Sequence, residues 1–576
     1  MNSSQPAVLP MTREEMRSLG WDAIDILLIT GDAYIDHPAF GVALLGRWLC
    51  AHGFRVGVVA QPRWDSPDDV RRMGRPRLFA GVTAGSLDSM LAHYTAFRKK
   101  RHDDAYTPGG RAGARPNRAT LVYTSLVRHE LPGLPVVIGG IEASMRRAVH
   151  FDFWSDGIRR SILLDSKADV LVYGMAERAM LEIAERLRKH TDACAERDPP
   201  AVRAALAGIR GTVTAGGAEL LSGLASEPWV LPSFEAIQAD PSALMEATLT
   251  LERQVHDGEA WAVQATGNRQ TLLAPPASPL NTAEMDALYS PPFTRRPHPS
   301  YREKIPAVEM IQFSVTTHRG CGGGCTFCSL AFHQGRRISS RGRASIVAEV
   351  GKMTKHADWK GSLTDVGGPS ANMWGARCTL AKNMKCRRAS CLHPAICAHF
   401  QAHQSELSAL LQSLGRQTGV KHLRTASGVR YDLAMLDAEY VRALVGDFTG
   451  GQLKLAPEHC AGPVLELMRK PAFDVFEKFL TVFERESKRA GKEQYVVPYL
   501  LSAFPGCRDA DMRALSDWLR RRGWRPQQVQ CFVPTPGTVA TAMYHAGIDT
   551  AGRPIHVARS DAERLRQHAI LSNSRE

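Results

Sequence analysis

Short apolar runs alternate with amphipathic segments along most of this 576-residue chain. In its first part, Ile26–Thr30 has the composition of a buried parallel strand, and Gly41–His52 places its apolar residues at helical spacing. Strands and helices that alternate in this way are typical of a doubly wound α/β domain. The strands predicted for this domain are Ile26–Thr30, Arg55–Ala60, Ala119–Tyr123, Val136–Ile138 and Asp169–Tyr173, and its last helix is Ala176–Lys189.

A second series begins near residue 306, where strand-like runs again alternate with helical patterns and are followed by polar motifs. Repeated βα units with polar strand ends predict a (β/α) barrel, whose active site forms at the carboxyl ends of the strands. Its predicted strands are Ile311–Thr316, Ser362–Val366, His422–Ala426, Gln452–Ala456, Tyr495–Leu501 and Val529–Val533, with helices at Ala344–Lys355, Ser405–Thr418, Met435–Leu444, Val464–Lys470 and Ala510–Arg522.

The expected fold class is therefore α/β: an N-terminal doubly wound, Rossmann-like domain followed by a full or partial TIM-type (β/α) barrel. The residues between them are rich in Ala, Gly and Pro, which indicates a less regular stretch. The predicted divisions are an N-terminal extension (1–20), the Rossmann-like domain (21–190), an irregular α/β extension and linker (191–305), the barrel (306–545) with a cysteine-rich insertion (374–400), and a C-terminal tail (546–576).

The composition excludes some classes of protein. Hydrophobic residues make up 44% and charged residues 23% of the chain, which excludes wholesale disorder. No apolar run is long enough to span a membrane, and the first residues lack the pattern of a secretory signal. We therefore expect a cytoplasmic protein without membrane contacts. The net charge of +14 permits an anionic partner such as RNA, although a basic solvated surface explains it equally well.

Seven of the 12 cysteines lie between Cys321 and Cys397, a density that indicates metal binding in a large chain of this kind. The sharpest motif is a Cys-x3-Cys-x2-Cys triad, formed by Cys321, Cys325 and Cys328 on a glycine-rich loop after a predicted strand. Three thiolates can hold three irons of a four-iron cubane and leave the fourth iron open. The alternative is a zinc site with His318 or His333 as the fourth ligand.

The triad, with the aromatic Phe327 directly before its last cysteine, resembles the radical S-adenosylmethionine (SAM) superfamily. The segments GWDAIDILLITGDAYIDHPAFG and VVIGGIEASMRRAVHFDFWSD resemble the N-terminal domain of the YgiQ-type family. Further along, TDVGGPSANMWG, SGVRYDL and KLAPEHC resemble its radical SAM barrel, so that the likeness covers most of the chain.

This resemblance implies an enzyme that reductively cleaves SAM at a 4Fe-4S cluster. The resulting 5′-deoxyadenosyl radical would abstract hydrogen from a substrate that the sequence does not identify. Such a protein also needs a one-electron donor, such as flavodoxin or ferredoxin. Carried over by motif, the three triad cysteines bind the cluster, and Phe327 lies near the adenine; no catalytic residue follows from the likeness.

The resemblance also implies SAM contacts after the second barrel strand. Gly367 and Gly368 match the glycine pair whose carbonyls receive the SAM amino group. Pro369 stands where many members of the superfamily have glutamate, which puts an acidic contact to the amine in doubt. Without the cluster motif, a Gly-Gly-Pro sequence is an ordinary turn.

Two later motifs supply further candidates. Ser427 and Arg430 follow a predicted strand, where they would contact the SAM ribose or carboxylate. Glu458 and His459 occupy a similar position and resemble the strand-end acidic residue of related methylthiotransferases. Each of these residues can equally belong to a buried structural salt bridge. The segment Pro534–Thr538 is expected to form a sharp turn after the last strand.

A second cysteine group occupies the insertion, and its spacing is unlike that of common zinc ribbons. Four thiolates suit a second iron–sulfur cluster or a structural zinc ion, and the alternative is four reduced, packed cysteines. Basic residues in the same stretch would attract an anionic substrate or offset thiolate charge. The cysteines are Cys378, Cys386, Cys391 and Cys397, and the basic residues are Lys382, Lys385, Arg387 and Arg388.

The N-terminal domain resembles the cobalamin-binding domains fused to some radical SAM enzymes. His37 is the candidate cobalt ligand, but its spacing to Gly41 departs from the usual Asp-x-His-x-x-Gly pattern. A substrate-binding or structural domain is therefore preferred to a cobalamin-dependent methyltransferase. The remaining alternative is a non-catalytic, zinc-containing nucleic-acid-binding protein. Further polar residues near predicted strand ends, without assigned roles, are Asp32, Asp36, Glu142 and Glu177.

Overall fold

The structure is a computed structural model, and it describes residues 6–193, 199–381, 384–526 and 529–572. The chain divides into two compact units. The first comprises Met1–Ser278 and Leu288–Gln312, and the second comprises Pro279–Ala287 and Phe313–Glu576. Among the described helices, none is both long and apolar enough to cross a membrane.

The first unit is built on a nine-stranded sheet in the order β2-β1-β3-β4-β7-β8-β11-β10-β9. The first five strands in this order run parallel, and helices connect them, as in a doubly wound fold. The order reverses between β1 and β3, which is where such sheets form a crevice. The strands of this unit are β1 (Ile26–Thr30), β2 (Val56–Ala60), β3 (Phe79–Thr83), β4 (Val136–Gly139), β5 (His150–Asp152), β6 (Gly157–Arg159), β7 (Val170–Val172), β8 (Thr212–Gly216), β9 (Trp229–Leu231), β10 (Ala262–Thr266) and β11 (Arg269–Leu273).

Helices cover the parallel strands, and all residues of β1 and β2 are buried. The predicted helices Gly41–His52 and Ala176–Lys189 are present with slightly different ends. The helices of this unit are Arg13–Ser18, Gly41–Ala51, Asp68–Arg71, Ser89–His93, Ala119–Glu130, Gly140–Met145, Ile162–Ser166, Glu177–Ala193, Pro199–Leu206, Phe234–Ala239, Pro241–Asp257 and Pro306–Ile311.

The prediction of a strand at Ala119–Tyr123 is wrong, because this segment begins the helix Ala119–Glu130. Its β-branched and aromatic residues favour a strand locally, but Ala119, Tyr123 and Val127 recur every four residues and are buried on one helical face. The missing strand is β3, which pairs in parallel with both β1 and β4.

The stretch that the sequence analysis describes as irregular extends the same sheet. The strands β8 to β11 continue it with mainly antiparallel pairing, whereas β9 and β10 run parallel. The helix Pro241–Asp257 lies in the same stretch and ends at Gly258, whose φ of 82° suits a glycine cap.

The second unit is a partial (β/α) barrel, in agreement with the predicted fold class. Parallel strands follow one another in chain order: β12 pairs with β16, β15 pairs with β19, and β20, β21 and β22 form one sheet. The strands of this unit are β12 (Ser314–Thr316), β13 (His318–Arg319), β14 (Ser339–Ser340), β15 (Ser362–Leu363), β16 (Asp365–Gly367), β17 (Arg377–Cys378), β18 (Phe400–Gln401), β19 (His422–Leu423), β20 (Gln452–Glu458), β21 (Tyr495–Ser502) and β22 (Val529–Cys531).

The predicted barrel helices are present, and one long helix, Phe473–Arg489, was not predicted. The predicted first barrel strand is shorter at its start, because the helix Pro306–Ile311 occupies that stretch. The helices of the second unit are Thr282–Tyr289, whose last residues belong to the first unit, Leu330–Gln334, Arg343–Met353, Gln404–Gly415, Tyr431–Ala434, Ala438–Ala443, Gly462–Met468, Phe473–Arg489, Asp509–Arg521, Val539–Ala546 and Asp561–Ser572.

Candidate metal centre

The triad loop follows the first barrel strand, β12, and a short antiparallel ladder between β13 and β14 closes it. Two glycines in this loop have left-handed backbone conformations, Gly320 with φ 89° and Gly324 with φ 61°. A Cβ on Gly320 would collide with the carbonyl oxygen of Arg337, and one on Gly324 would lie 2.6 Å from that of Ala389. The tight curl of the loop therefore requires glycine at both positions.

Thr326 anchors the loop to two neighbouring segments. Its amide and hydroxyl donate to the carbonyl oxygens of Met468 (3.2 Å) and Leu467 (2.8 Å), and its carbonyl accepts from the Ala540 amide at 2.9 Å. The following Phe327 packs edge-on against Phe504 at the end of β21, with ring centroids 6.1 Å apart. The backbone of the triad is thus held by segments far along the chain.

The three triad cysteines are half-buried and close enough to influence one another. An ideal Cβ built on Gly323 would lie 3.4 Å from the Cys321 sulfur and 3.8 Å from the Cys325 sulfur. Burial and the neighbouring thiols raise the pKa of Cys321, and raise that of Cys328 to about 12. Deprotonation of these thiols therefore calls for a positive centre between them.

Within the described residues, no three His, Cys, Asp or Glu side chains are gathered in a way that would hold one metal ion. In a four-iron cubane each thiolate binds a different iron, so its ligands do not converge on a single point. Three thiols on one glycine-rich loop are therefore a donor set that fits such a cluster.

Two basic side chains approach the triad from other barrel segments. Arg430 places Nη1 4.0 Å from the Cys325 sulfur, while Nε and Nη2 donate to the two carboxylate oxygens of Asp432 at 2.9 and 2.5 Å. Burial alone would lower the pKa of Arg430, but the bidentate bond with Asp432 raises it above the ordinary value. Arg430 is therefore a fixed, permanent cation beside the triad.

Lys470 is the second cation. Its ammonium lies 3.7 Å from Glu458 Oε1, and its charge acts to lower the pKa of the Cys321 and Cys328 thiols. Burial raises the pKa of Glu458 although Lys470 opposes this. Glu458 also has a φ of 67°, which is unusual for a non-glycine residue and costs conformational energy. The strained strand end aims its carboxylate at Lys470.

Two of the predicted SAM contacts already have partners within the barrel. The Gly367 carbonyl accepts from the Thr317 amide at 2.7 Å and from its hydroxyl at 3.1 Å. The hydroxyl of Ser427 donates to Asp365. Gly368 packs against His318, whose ring would lie 2.7 Å from a Cβ at this position. The glycine pair therefore packs closely against the strand that leads to the triad.

The histidines near these motifs have structural partners. His318 Nδ1 lies 2.9 Å from the Thr317 hydroxyl, and burial lowers the pKa of His318 to about 4. His459 accepts from the Cys460 amide at 2.9 Å, and its other ring nitrogen lies 3.5 Å from the Cys507 sulfur. His333 lies on the helix Leu330–Gln334 in the triad loop.

Asp432, Lys470 and Asn372 belong to the site but were not identified from the sequence. Asn372 fixes the backbone of Arg430, because its side chain accepts from the Arg430 amide at 2.8 Å and donates to its carbonyl at 3.0 Å. Asp432 lies two residues after Arg430, so the paired charges are a signal in the motif itself. No local pattern connects Lys470 with the triad.

The second cysteine group lies beside the triad loop. The Cys391 amide donates to the Gly322 carbonyl at 2.9 Å, and the Cys397 amide donates to the Cys391 carbonyl at 2.8 Å. Cys378 lies on β17, opposite Phe400 on β18. The described cysteines form no disulfide bond. The predicted basic residue Lys382 lies outside the described residues.

The polar strand-end residues of the first unit face internal partners. Asp36 forms a buried ion pair with Arg47 at 2.6 Å, and Asp32 forms another with Arg115 at 3.0 Å. Glu142 accepts bonds from the backbone amides of Ser89 at 2.8 Å and Thr120 at 3.0 Å. These carboxylates therefore brace the ends of the sheet.

Both ring nitrogens of His37 are also engaged. Nδ1 accepts from the Ala39 amide at 3.0 Å, and Nε2 lies 2.7 Å from Nη1 of Arg295. Burial and the positive charge of Arg295 lower the pKa of His37 well below its ordinary value. His37 therefore does not fit the role of a cobalt ligand in this structure.

Comparison with known families gives two matches. A family profile described as "Radical SAM N-terminal" matches residues 8–314, which is more than half of the chain. A second profile, a domain of unknown function (DUF3362), matches residues 527–574. The first match covers the nine-stranded sheet and ends at the first barrel strand.

Full-length relatives carry the name UPF0313 protein. One from Geobacter sulfurreducens is 50% identical, with 98% of this chain and 92% of the relative aligned. One from Thermotoga neapolitana is 45% identical over 96% of each chain. Among solved structures, the radical SAM methyltransferase TsrM from Kitasatospora setae, with cobalamin and a [4Fe-4S] cluster bound, has a TM-score of 0.52 at 14% identity, covering 95% of this chain and 85% of that chain. This last likeness concerns the fold.

Proposed function

The chain belongs to the UPF0313 family and carries a radical SAM N-terminal domain, and on that basis we propose that it is a YgiQ-type radical SAM enzyme. Its proposed activity is the reductive cleavage of SAM at a 4Fe-4S cluster, followed by hydrogen abstraction from a substrate. When bound, the cluster supplies the electron that cleaves SAM into methionine and a 5′-deoxyadenosyl radical.

The observation that carries the proposal is the triad loop at the first barrel strand, flanked by the cations of Arg430 and Lys470. A cluster bound by thiolates is anionic, and buried anions are stabilised by fixed positive charges. Asp432 and Glu458 hold these two cations in place. The chain thus provides both the thiol ligands and the charge that a cluster needs.

The same residues suggest how SAM is oriented. We place the SAM carboxylate near Arg430, because Nη1 is directed toward the triad while the rest of the guanidinium is bound to Asp432. The adenine is placed near Phe327, and Gly368 supplies the backbone contact to the amino group. The Gly367 carbonyl and the Ser427 hydroxyl are bonded to Thr317 and Asp365, and on this basis we assign these two residues a supporting role in the proposed SAM site.

The proposal also includes a one-electron donor such as flavodoxin or ferredoxin. The charge of +14 is compatible with RNA as the substrate class. Binding of tRNA to the full chain, titrated at increasing salt concentration, tests this part: a steep loss of affinity supports RNA, and weak, salt-insensitive binding contradicts it.

The main experiment is anaerobic reconstitution of the full chain with iron and sulfide, followed by reduction with SAM present. We expect release of 5′-deoxyadenosine and methionine. Cys325→Ala should abolish both this release and the iron of the triad. Cys460→Ala is the matched control, because Cys460 is a half-buried cysteine of the same unit outside both cysteine groups. Unchanged release from Cys325→Ala would contradict the proposal.

A cobalamin-dependent radical SAM methyltransferase is the second candidate function, favoured by the fold likeness to TsrM over 95% of this chain. Because His37 is engaged with Ala39 and Arg295, this candidate requires cobalamin without a protein imidazole on cobalt. Incubation of the full chain with cobalamin, gel filtration and cobalt analysis test it. One cobalt per chain would support this function, and cobalt below a tenth of that would remove it.

A further inference from the structure

We propose that Cys378, Cys386, Cys391 and Cys397 hold a second iron–sulfur cluster, which passes electrons to the cluster at the triad. The inference rests on the proposed function of the triad, because an electron relay needs an acceptor. Three features of the second unit support it: the build of the insertion, the position of its cysteines and its contact with the triad loop.

The insertion has little structure of its own to hold it in one conformation. In the part of the insertion that the structure describes, the regular elements are the two-residue strands β17 and β18, with 21 residues of the sequence between them. Its buried apolar residues Ala376, Leu392 and Phe400 form one small cluster with Met373 and Leu433 from outside the insertion. Long segments without secondary structure or a core are stabilised by cross-links such as metal centres.

The fold of the insertion brings its cysteines toward Cys391. The Cys397 amide donates to the Cys391 carbonyl, and the Phe400 amide donates to the Cys397 carbonyl, both at 2.8 Å. Phe400 pairs with Cys378 across the β17–β18 ladder. The thiols of Cys386, Cys378 and Cys397 all lie near enough to the Cys391 thiol to interact with it electrostatically. Separate thiols around a common centre match the ligands of a multi-iron cluster.

The insertion also contacts the triad loop directly. The Cys391 amide bonds to the Gly322 carbonyl, and the Ser390 hydroxyl donates to the Gly323 carbonyl. A Cβ built on Gly322 would lie 3.4 Å from the Cβ of Cys391. Zinc has no redox chemistry, whereas an iron–sulfur cluster at contact distance from a redox centre can exchange electrons with it.

Basic residues complete the environment of the second cluster. The positive charge of Arg336, which is buried, acts on the Cys391 thiol. Arg388 braces the loop, because Nε donates to the Ser390 carbonyl at 3.0 Å and Nη2 to the His393 carbonyl at 2.9 Å. The charge of Arg336 thus offsets thiolate charge in the insertion, as Arg430 and Lys470 do at the triad.

The relay step is a simple electron transfer. A one-electron donor protein of the flavodoxin or ferredoxin class would pass one electron to the cluster held by the insertion cysteines and be oxidised by one electron. That cluster would pass the electron on to the cluster held by the triad cysteines and so return to its oxidised state. No covalent bond forms or breaks, and no proton moves in this step.

The test uses the full chain reconstituted anaerobically. The wild type should bind about eight irons, and the triple variant C321S/C325S/C328S should keep about four, with an EPR signal on reduction. The pair variant C378S/C386S, at an exposed and a half-exposed position, should also keep about four, and C460S should keep all eight. A triad-free variant that binds no iron, or binds zinc instead, would overturn the inference.

A comparison of a chemical reductant with a protein electron donor tests whether the second cluster relays electrons or is merely bound. With a chemical reductant, the rate of 5′-deoxyadenosine release from C378S/C386S, relative to the wild type, measures the loss that does not depend on electron delivery. With a flavodoxin-type donor, the relative rate should fall at least tenfold below that value; the same relative rate with both reductants would overturn the relay. If the wild type binds eight irons but releases no 5′-deoxyadenosine, the proposed function fails while the second cluster stands.

Discussion

The two units of the chain place charged residues at similar positions, at the carboxyl ends of parallel strands, but use them differently. In the first unit, Asp36 and Asp32 are bound to Arg47 and Arg115 within the same unit. In the second unit, the carboxylates of Asp432 and Glu458 also bind cations, but those cations act in turn on the triad cysteines. Charged residues at strand ends therefore indicate a functional site only where one member of the ion pair also acts on a third group, as Arg430 and Lys470 act on the triad cysteines.

This comparison predicts that loss of an ion pair in the first unit lowers the free energy of unfolding alone. Loss of one in the second unit should also change the iron content or the chemistry of the triad. Variants matched between the two units can test the distinction. Each change below has an expected effect on either the free energy of unfolding or the chemistry of the triad.

The largest effect is expected for Arg47→Met in the first unit. The substitution leaves Asp36 as an unpaired buried charge, which costs about 3–5 kcal/mol in the free energy of unfolding. Denaturant titration should show this loss, while the folded fraction keeps its full iron content. Arg63→Met is the control, because its pair with Asp65 is fully exposed and screened by water, so that its loss should leave the free energy of unfolding unchanged. If the folded Arg47→Met protein binds less iron than the wild type, ion pairs of the first unit also affect the triad, and the distinction between the two units is wrong.

The next effect concerns pH and should be shared by both units. Burial lowers the pKa of His459 and of His150 to about 4, whereas an unfolded histidine titrates near 6.5. Each buried neutral histidine therefore contributes its full share to the free energy of unfolding above pH 6.5. This contribution, about 3 kcal/mol for each residue, is lost as the pH falls toward 4. His459→Gln and His150→Gln should each flatten the pH dependence of unfolding in this window. A flat wild-type profile would show that neither histidine is buried in its neutral form.

A smaller effect, confined to the second unit, is expected for Arg430→Lys. Lysine keeps the charge but loses the bidentate bond to Asp432, and a charge-assisted hydrogen bond contributes about 1.5–3 kcal/mol. We expect release of 5′-deoxyadenosine to fall at least about tenfold with little change in iron content. Arg520→Lys, which alters an exposed ion pair with Asp517 on a barrel helix, should leave the rate unchanged. Equal rates for both variants would remove Arg430 from the site.

The most local effect is expected for Gly324→Ala in the triad loop. Its left-handed backbone costs alanine about 1–2 kcal/mol, and the new Cβ would in addition collide with the Ala389 carbonyl. Because the backbone must shift to accommodate the Cβ, we expect a loss of stability beyond the cost of the left-handed conformation, together with weaker iron binding at the triad. Gly428→Ala is the control, because a Cβ there meets no atom within 4 Å. If both variants bind iron equally well, the curl of the loop does not depend on Gly324.

The fold class was largely predictable, because periodicity and strand length are properties of short segments. The strand at Ala119–Tyr123 shows the limit of such reasoning, since β-branched residues there lie on a helix. The segment Phe79–Thr83 was not assigned as a strand, although it is central to the sheet. Pairing with β1 and β4 stabilises this segment as a strand, and such partners are invisible in a local window.

The sequence by itself determined the α/β class, the cysteine triad and the second cysteine group, because spacing along the chain limits which thiols can reach one centre. Only the tertiary structure decided which polar residues serve the triad. Arg430 meets Cys325 across 105 residues, whereas His459, adjacent to Glu458, is directed to Cys507. The contact between the insertion and the triad loop also depends on folding, since backbone hydrogen bonds between distant segments leave no pattern in the sequence.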